Sequence, residues 1–404
     1  MRVNQLLACI AAEIEDRVDR VRHDPARLAR RRRPIRIAPY LGFGTTDRLW
    51  VQGRVVSHPV VRASRETDGR WHNLLGMYRR LRSAEVPGAR IRASLDRSTT
   101  ELTADGEGFF RGWLELADRR DPQSESAWHD VRLELESPLL ADRPAARAVG
   151  KVLVPPPSAE FGVISDVDDT IIETDATSLL RMARTVLFGN ARTRLPFSGV
   201  AAFYRALRRG RTERAHNPLF YVSSSPWNLY DLLVEFLELE RIPVGPLMLR
   251  DWGLTRDELV PTRHAAHKER AIERILETYP ALPFILIGDS GQEDPEIYRD
   301  LVHRRGGQIA AIYIRNVTGL ERAEAVHALT REIVGAGSSL VLADDTLIAA
   351  RHAAEHGWIE PSALRRVRSA CREDESGEPG TSVEQGGRPR DDTPSVVIAV
   401  QRVG

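Results

Sequence analysis

Two cysteines, Cys9 and Cys371, stand near opposite ends of a 404-residue chain. They exclude a disulfide framework and a cysteine-based zinc site, and a reducing, cytoplasmic setting is expected. No apolar run approaches the ~20 residues that a helix needs to cross a bilayer. An excess of one charge is also missing. The 58 Lys and Arg face 57 Asp and Glu, which argues against a nucleic-acid partner bound over the whole surface. The opening residues, MRVNQLLACIAAEIEDRVDR, carry acids within their apolar stretch, so no secretory signal is expected. What remains is ordinary for a globular chain, 42% hydrophobic and 28% charged, and long enough for two or three domains.

The pattern changes along the chain. Leu7, Ile10, Ile14, Val18 and Val21 recur at spacings of three and four, which predicts an amphipathic helix. Arg22, Arg27, Arg30, Arg31, Arg32, Arg33 and Arg36 follow, opposed only by Asp24. Residues 1–34 therefore read either as a peripheral anchor for an anionic membrane surface or as a docking helix with a solvated linker. Over residues 35–154, LWVQGRVV, ARIRAS, GFFRGWLEL and HDVRLELE alternate like strands, with turns at Asp105-Gly106 and Asp121-Pro122. With Trp50, Trp113 and Trp128 as core aromatics, this region predicts a small β-sandwich.

A proline-rich joint, VLVPPPSAE, leads into residues 155–370, where strand and helix patterns alternate. FGVIS, LFYVS, PLMLR, FILIG and IAAIYI read as buried strands, with SSLVLAD as a sixth, and SPWNLYDLLVEFLELE and HKERAIERILETY read as helices. The expected fold is α/β with a doubly wound parallel sheet. Residues 371–404 are poor in apolar side chains until the last few positions and read as a disordered tail.

Ligands of such sheets bind at the carboxyl ends of the strands. The first strand is followed by Asp166-Val-Asp168-Asp169-Thr170, the second by Ser223-Ser224-Ser225-Pro226 and the fourth by Gly288-Asp289-Ser290-Gly291-Gln292-Glu293-Asp294, while Lys268 opens the helix before the fourth strand. These groups suit phosphoryl transfer to a carboxylate. Asp166 would attack phosphorus, and Asp168 would protonate the leaving alcohol and then activate water. Crowded carboxylates call for a divalent cation, and Mg²⁺ held by Asp166, Asp289 and the Asp168 carbonyl would screen the phosphate. Ser223 and Lys268 would bind phosphoryl oxygens, and Ser225 with Pro226 would cap a helix aimed at the same anion.

The order D-x-D-x-T, strand-end Ser, Lys and G-D-x(4)-D resembles the haloacid dehalogenase superfamily, and a second aspartate at Asp168 resembles its phosphatases. More closely, ISDVDDTI, ARTRLPFSGVAAFYRAL, NPLFYVSSSPWNLYDLL, LRDWG and FILIGDSGQEDPEIY resemble the phosphatidate phosphatase catalytic domain of the actin-patch-associated type, related to the lipins. The resemblance spans roughly residues 150–335. It implies an Mg²⁺-dependent hydrolase releasing diacylglycerol and phosphate from phosphatidate. In it Asp166 is the nucleophile, Asp168 the acid/base, Thr170 and Ser223 phosphate contacts, Lys268 the charge clamp, and Asp166, Asp168, Asp289 and Asp294 the metal side. Two alternatives stay open: the same chemistry on another phosphomonoester or a phosphoprotein, and a non-catalytic protein that binds partners through its β-sandwich.

Overall fold

The computed structural model describes residues 34–57, 84–119, 127–139, 144–168, 170–171, 197–250, 262–318 and 320–376. The Leu7–Val21 stripe, the arginines before residue 34, the ATSLLRMARTVLF stretch and the chain after residue 376 lie outside them. No helix among the described residues is long and apolar enough to cross a membrane.

Eight strands come first: β1 (Ile35–Gly44), β2 (Arg48–Ser57), β3 (Ala84–Glu85), β4 (Arg90–Leu95), β5 (Ser98–Thr103), β6 (Phe109–Glu115), β7 (Trp128–Ser137) and β8 (Arg147–Leu153). Their side chains alternate as the sequence does. On β7, His129, Val131, Leu133 and Leu135 are buried, while Asp130 and Arg132 are exposed. The strands expected as a sandwich are all hydrogen-bonded into one sheet of order β3-β2-β1-β8-β7-β4-β5. Strand β2 makes this possible by pairing with β6 along Arg48–Arg54 and with β3 at Val56 and Ser57. The far strand β5 packs against β6, so the sheet is partly closed on itself around Leu49, Ile91, Phe110, Leu114 and Val131.

The second sheet is parallel throughout, with order β11-β10-β9-β12-β13-β14. Its strands are β9 (Gly162–Asp166), β10 (Leu219–Pro226), β11 (Leu247–Arg250), β12 (Phe284–Asp289), β13 (Ile309–Arg315) and β14 (Ser339–Ala343). Between and after them run α1 (Val200–Arg209), α2 (Tyr230–Leu239), α3 (Thr262–Thr278), α4 (Asp294–Arg305), α5 (Leu320–Gly335), α6 (Thr346–Glu355) and α7 (Ala363–Ser376). All five residues of β9 and all six of β12 are buried, the mark of strands covered on both faces. Val163, Tyr221, Ile287 and Tyr313 face α1, α2, α6 and α7, whereas Ile164, Phe220, Leu286 and Ile312 face α3, α4 and α5. From β9 the chain steps outward to β10 and β11, then returns to β12 and steps the other way. The reversal lies between β9 and β12, and a crevice opens at such a point.

Two helix boundaries differ from expectation. Helix α3 begins at Thr262, five residues before the expected His267, so Lys268 is the seventh residue of the helix and does not open it. Residues 371–376, expected in the tail, are the end of α7. They stay ordered because Cys371 Sγ donates to the Ser198 carbonyl at 3.4 Å and Asp374 accepts from Gly199 N at 2.7 Å.

The two sheets meet through aromatic rings. Tyr40 stacks on Trp227 with centroids 4.9 Å apart, and Phe43 meets Phe220 edge-on at 5.8 Å. The Tyr230 hydroxyl accepts from Leu41 N at 2.7 Å, and the Tyr279 hydroxyl donates to the Gly44 carbonyl at 3.0 Å. Phe43 and Trp50 of the first sheet are therefore part of the core formed by β10, α3 and β12. Phe43 is fully buried, so Phe43→Ala should cost about 3–5 kcal/mol. Denaturation followed by fluorescence and by circular dichroism should give one coincident transition, and two separated transitions would show that the sheets are independent.

Candidate active site

Asp166 ends β9 and Asp289 ends β12, on either side of the crevice. Asp294 starts α4, with Pro295 behind it in the first turn, where proline is tolerated because that N–H has no helical partner. Lys268 reaches the crevice from α3. All four side chains are buried. The Lys268 ammonium lies 2.7 Å from Asp166 Oδ1 and also pairs with Asp294 Oδ1. The other Asp294 oxygen accepts from Asp289 N at 3.2 Å. Gly288 allows this fold-back, since a Cβ there would lie 2.8 Å from the Asp294 Cβ. Gly291 N and Gln292 N donate to Asp289 Oδ1 at 2.7 and 2.9 Å.

Three carboxylates, Asp166, Asp289 and Asp294, each present an oxygen within 4.8 Å of the others. One ammonium cannot neutralise all three. Burial therefore pushes Asp166 well above the usual carboxylate range, against the pull of Lys268 and with the charges of Asp294, Asp168 and Asp289 adding to the rise. Burial and the Asp294 charge push Asp289 up to about 7, again against Lys268. Burial alone would lower Lys268, but Asp166 and Asp294 outweigh it and hold the ammonium charged. Asp289 Oδ2 is buried without a hydrogen-bond partner. An orphaned oxygen among hard carboxylate donors with excess negative charge fits a divalent cation such as Mg²⁺.

The remaining expected residues surround this cluster. Thr170 Oγ1 donates to Asp166 Oδ2 at 3.2 Å. Asp168 has a different environment, because Ser223 Oγ donates to its Oδ2 at 2.6 Å and Ser225 Oγ to its Oδ1 at 3.2 Å. The Asp168 side chain is thus outside the three-carboxylate group, and its backbone carbonyl accepts from Gln292 Nε2 at 3.0 Å. Ser225 is not the expected helix cap. Strand β10 runs on to Pro226, a short 3-10 turn covers Trp227–Leu229, and neither that turn nor α2 has a side-chain cap. The hydroxyl is drawn to a carboxylate 57 residues earlier, a pairing that local spacing cannot reveal. Gln292 and Arg315 were also given no role by the sequence. Arg315 ends β13 in register with Asp289, so reading the residue after each strand would have found it.

Residues 161–316 match the family model for the phosphatidate phosphatase APP1 catalytic domain. Phosphatidate phosphatase APP1 of Saccharomyces cerevisiae is 36% identical over 156 residues, 38% of this chain and 26% of its own length. An uncharacterized protein of Schizosaccharomyces pombe is 27% identical over 160 residues, 39% of this chain and 25% of its own. The chain thus spans about a quarter of the length of these curated relatives. The matches bear out the resemblance carried by the motifs, and the matched segment runs from the start of β9 to the end of β13. Among solved structures, a carbohydrate acetylesterase from Xanthomonas citri aligns over 73% of this chain and 74% of its own. Its 12% identity and TM-score of 0.24 carry no argument.

The raised carboxylates predict how stability depends on pH. Without a divalent cation, folded Asp289 keeps its proton up to about pH 7, whereas the unfolded chain releases it near 3.8. The folded state then binds more protons between these values, so stability should fall as pH rises from about 4 to 7. Melting in chelator should show this decline, and Mg²⁺ should raise the melting temperature more at pH 8 than at pH 5. In Asp289→Asn both effects should shrink. A flat profile that Mg²⁺ does not change would remove the case for a metal at this cluster.

Proposed function

We propose that the chain is a phosphatidate phosphatase of the haloacid dehalogenase type, with a doubly wound catalytic domain over residues 155–370 and a smaller β domain over residues 35–154. The observation that carries this reading is the convergence of Asp166, Asp289, Asp294 and Lys268 at the reversal point of the parallel sheet. The family match covers the same residues. Strand order and the helices on both faces support the doubly wound assignment.

In this mechanism an Asp166 carboxylate oxygen attacks phosphorus. A P–O bond forms to the aspartate as the ester P–O bond breaks, and the departing alkoxide takes a proton from Asp168. Asp168, now a carboxylate oriented by Ser223 and Ser225, accepts a proton from water. That water attacks the acyl phosphate, releases inorganic phosphate and restores Asp166. Lys268 holds Asp166 in place and offers positive charge to the phosphoryl oxygens, while the buried Thr170 and Ser223 hydroxyls, which donate to Asp166 and Asp168, would turn to the phosphoryl oxygens when substrate enters. Asp166, Asp289 and Asp294, with the Asp168 carbonyl, would hold Mg²⁺, which would supply charge neutralisation for the carboxylates and the phosphate.

Phosphate release from phosphatidate, a soluble phosphomonoester and a phosphopeptide, each with Mg²⁺ and in chelator, tests the reading. Phosphatidate should be turned over only with the cation. Preference for the peptide or the soluble ester would favour the same mechanism on another substrate, and activity in excess chelator would refute metal dependence. Asp166→Asn should leave less than about a hundredth of wild-type turnover with the fold intact, against the 10²–10⁴ scale of acid–base contributions. More activity than that would overturn the nucleophile.

A lipid substrate requires contact with a membrane surface. The Leu7–Val21 stripe and the arginines from Arg22 to Arg36 are the proposed peripheral anchor on the cytoplasmic side. Deletion of residues 1–33 should weaken binding to anionic vesicles and hydrolysis on them, in proportion to how salt weakens the intact chain. Hydrolysis of a soluble ester should stay within about twofold, given that the attraction adds about 1 kcal/mol per basic residue only at the surface. Equal loss on both substrates would show that this segment stabilises the fold instead.

A further inference from the structure

The turn that carries Asp289 is held from outside the carboxylate cluster. Gly291 N and Gln292 N close it on Asp289 Oδ1, and Oδ2 is the oxygen left without a hydrogen-bond partner. Ser290 lies between these residues, fully buried, and its bonds run the other way. Its N–H donates to the Arg315 carbonyl at 2.8 Å, its Oγ accepts from Val317 N at 3.0 Å, and the same Oγ pairs with Thr318 Oγ1 at 2.9 Å. Strands β12 and β13 stay in register up to Asp289 and Arg315. Residue 290 therefore continues the pairing one step past the sheet, into the segment that leaves β13.

That segment is itself anchored. Asn316 N donates to the Ala343 carbonyl at the end of β14 at 3.0 Å, and Asn316 Nδ2 donates to Asp344 Oδ1 at 2.8 Å. Arg315 Nη2 donates to Thr346 Oγ1 at 3.1 Å, and its guanidinium lies over the Phe197 ring at 3.6 Å. A carboxylate fixed by its own turn is only as well placed as that turn. Placement matters for Mg²⁺, which demands near-octahedral geometry with ligand oxygens at about 2.0–2.1 Å. Groups that orient metal ligands without touching the metal typically contribute about 10–100-fold in affinity.

We propose that the Ser290–Thr318 hydroxyl pair is a positioning clasp, which sets where Asp289 Oδ2 stands and so how tightly the site holds a divalent cation. The clasp deepens the metal-dependent phosphatase reading and rests on it. Ser290 and Thr318 act through Asp289 and touch no reacting atom.

Thr318 is partly exposed, and Thr318→Val keeps its shape while removing the hydroxyl. Calorimetric titration of the chelator-treated full chain with Mg²⁺ should give a dissociation constant about tenfold weaker in Thr318→Val than in the wild type, with Thr318→Ser, which keeps the hydroxyl, within about twofold. Ser290→Ala also leaves Val317 N without its acceptor and should bind at least as weakly as Thr318→Val. Because Thr318 acts through Ser290, the double variant should bind no more weakly than Ser290→Ala alone. The Mg²⁺ concentration for half-maximal phosphate release should rise in step in Thr318→Val, and excess Mg²⁺ should restore kcat. A lowered melting temperature in chelator with an unchanged Mg²⁺ dissociation constant would make the pair a support for the fold alone and overturn the clasp. Equal weakening in Thr318→Val and Thr318→Ser would overturn it too, since the hydroxyl would then play no part. If the wild type takes up no Mg²⁺, the metal reading itself fails and the clasp falls with it. Mg²⁺ binding by the wild type that Thr318→Val leaves unchanged removes the clasp alone.

Discussion

Lys268, buried between Asp166 and Asp294, is the interaction on which the rest of the structure depends. A carboxylate moved from water into an apolar interior loses several kcal/mol of solvation even after the protein relaxes. This chain gathers three of them at one end of a parallel sheet. Without a buried cation they would all be driven to the neutral form, and the site would lose the charge that distinguishes it. Lys268 can play this part because α3 starts five residues earlier than the sequence suggests, which seats the lysine mid-helix against the strand ends. A lysine at a frayed helix start would be solvated. One ammonium still leaves an excess of negative charge, so the cluster is incomplete without protons or a divalent cation, and the orphaned Asp289 Oδ2 is where that deficit is concentrated.

Such a cluster needs a rigid frame. The frame is supplied from two directions, by the fully buried strands β9 and β12 and by the aromatic contacts that join the first sheet to the second. Trp227 and Tyr230, which meet Tyr40, follow directly after the strand that carries Ser223 and Ser225. The first sheet thus buttresses the segment that orients Asp168. Whatever else it binds, it contributes to the geometry of the crevice.

Much of this was legible in the sequence. Strands buried on both faces read as unbroken apolar runs, so FGVIS, FILIG and IAAIYI could be placed within a residue and LFYVS at its start, and the acids and hydroxyls at their ends followed. The less legible features depend on long-range partners. Ser225 looks like a cap until the Asp168 carboxylate just beyond β9 competes for its hydroxyl, and residues 371–376 look like part of the tail until Cys371 and Asp374 meet the backbone at Ser198 and Gly199. The single, partly closed first sheet follows from β2 pairing with three strands, and alternation alone cannot distinguish one curled sheet from two stacked ones.

The two aspartates of the D-x-D motif show why the motif needs its fold. Asp166 and Asp168 are separated by one residue, yet their surroundings differ in kind. Asp166 is buried against a permanent cation and other acids. Asp168 is only partly buried, and its carboxylate is held by two neutral hydroxyls from the neighbouring strand. Two adjacent carboxylates in one environment would share one behaviour and could not divide the work of nucleophile and acid/base. The division proposed here needs one carboxylate seated against the Lys268 charge, and another in reach of hydroxyls that can reorient as it gains and loses a proton. Serines at the end of β10 meet that second requirement, because a hydroxyl can donate to the ionised carboxylate and accept from the protonated one.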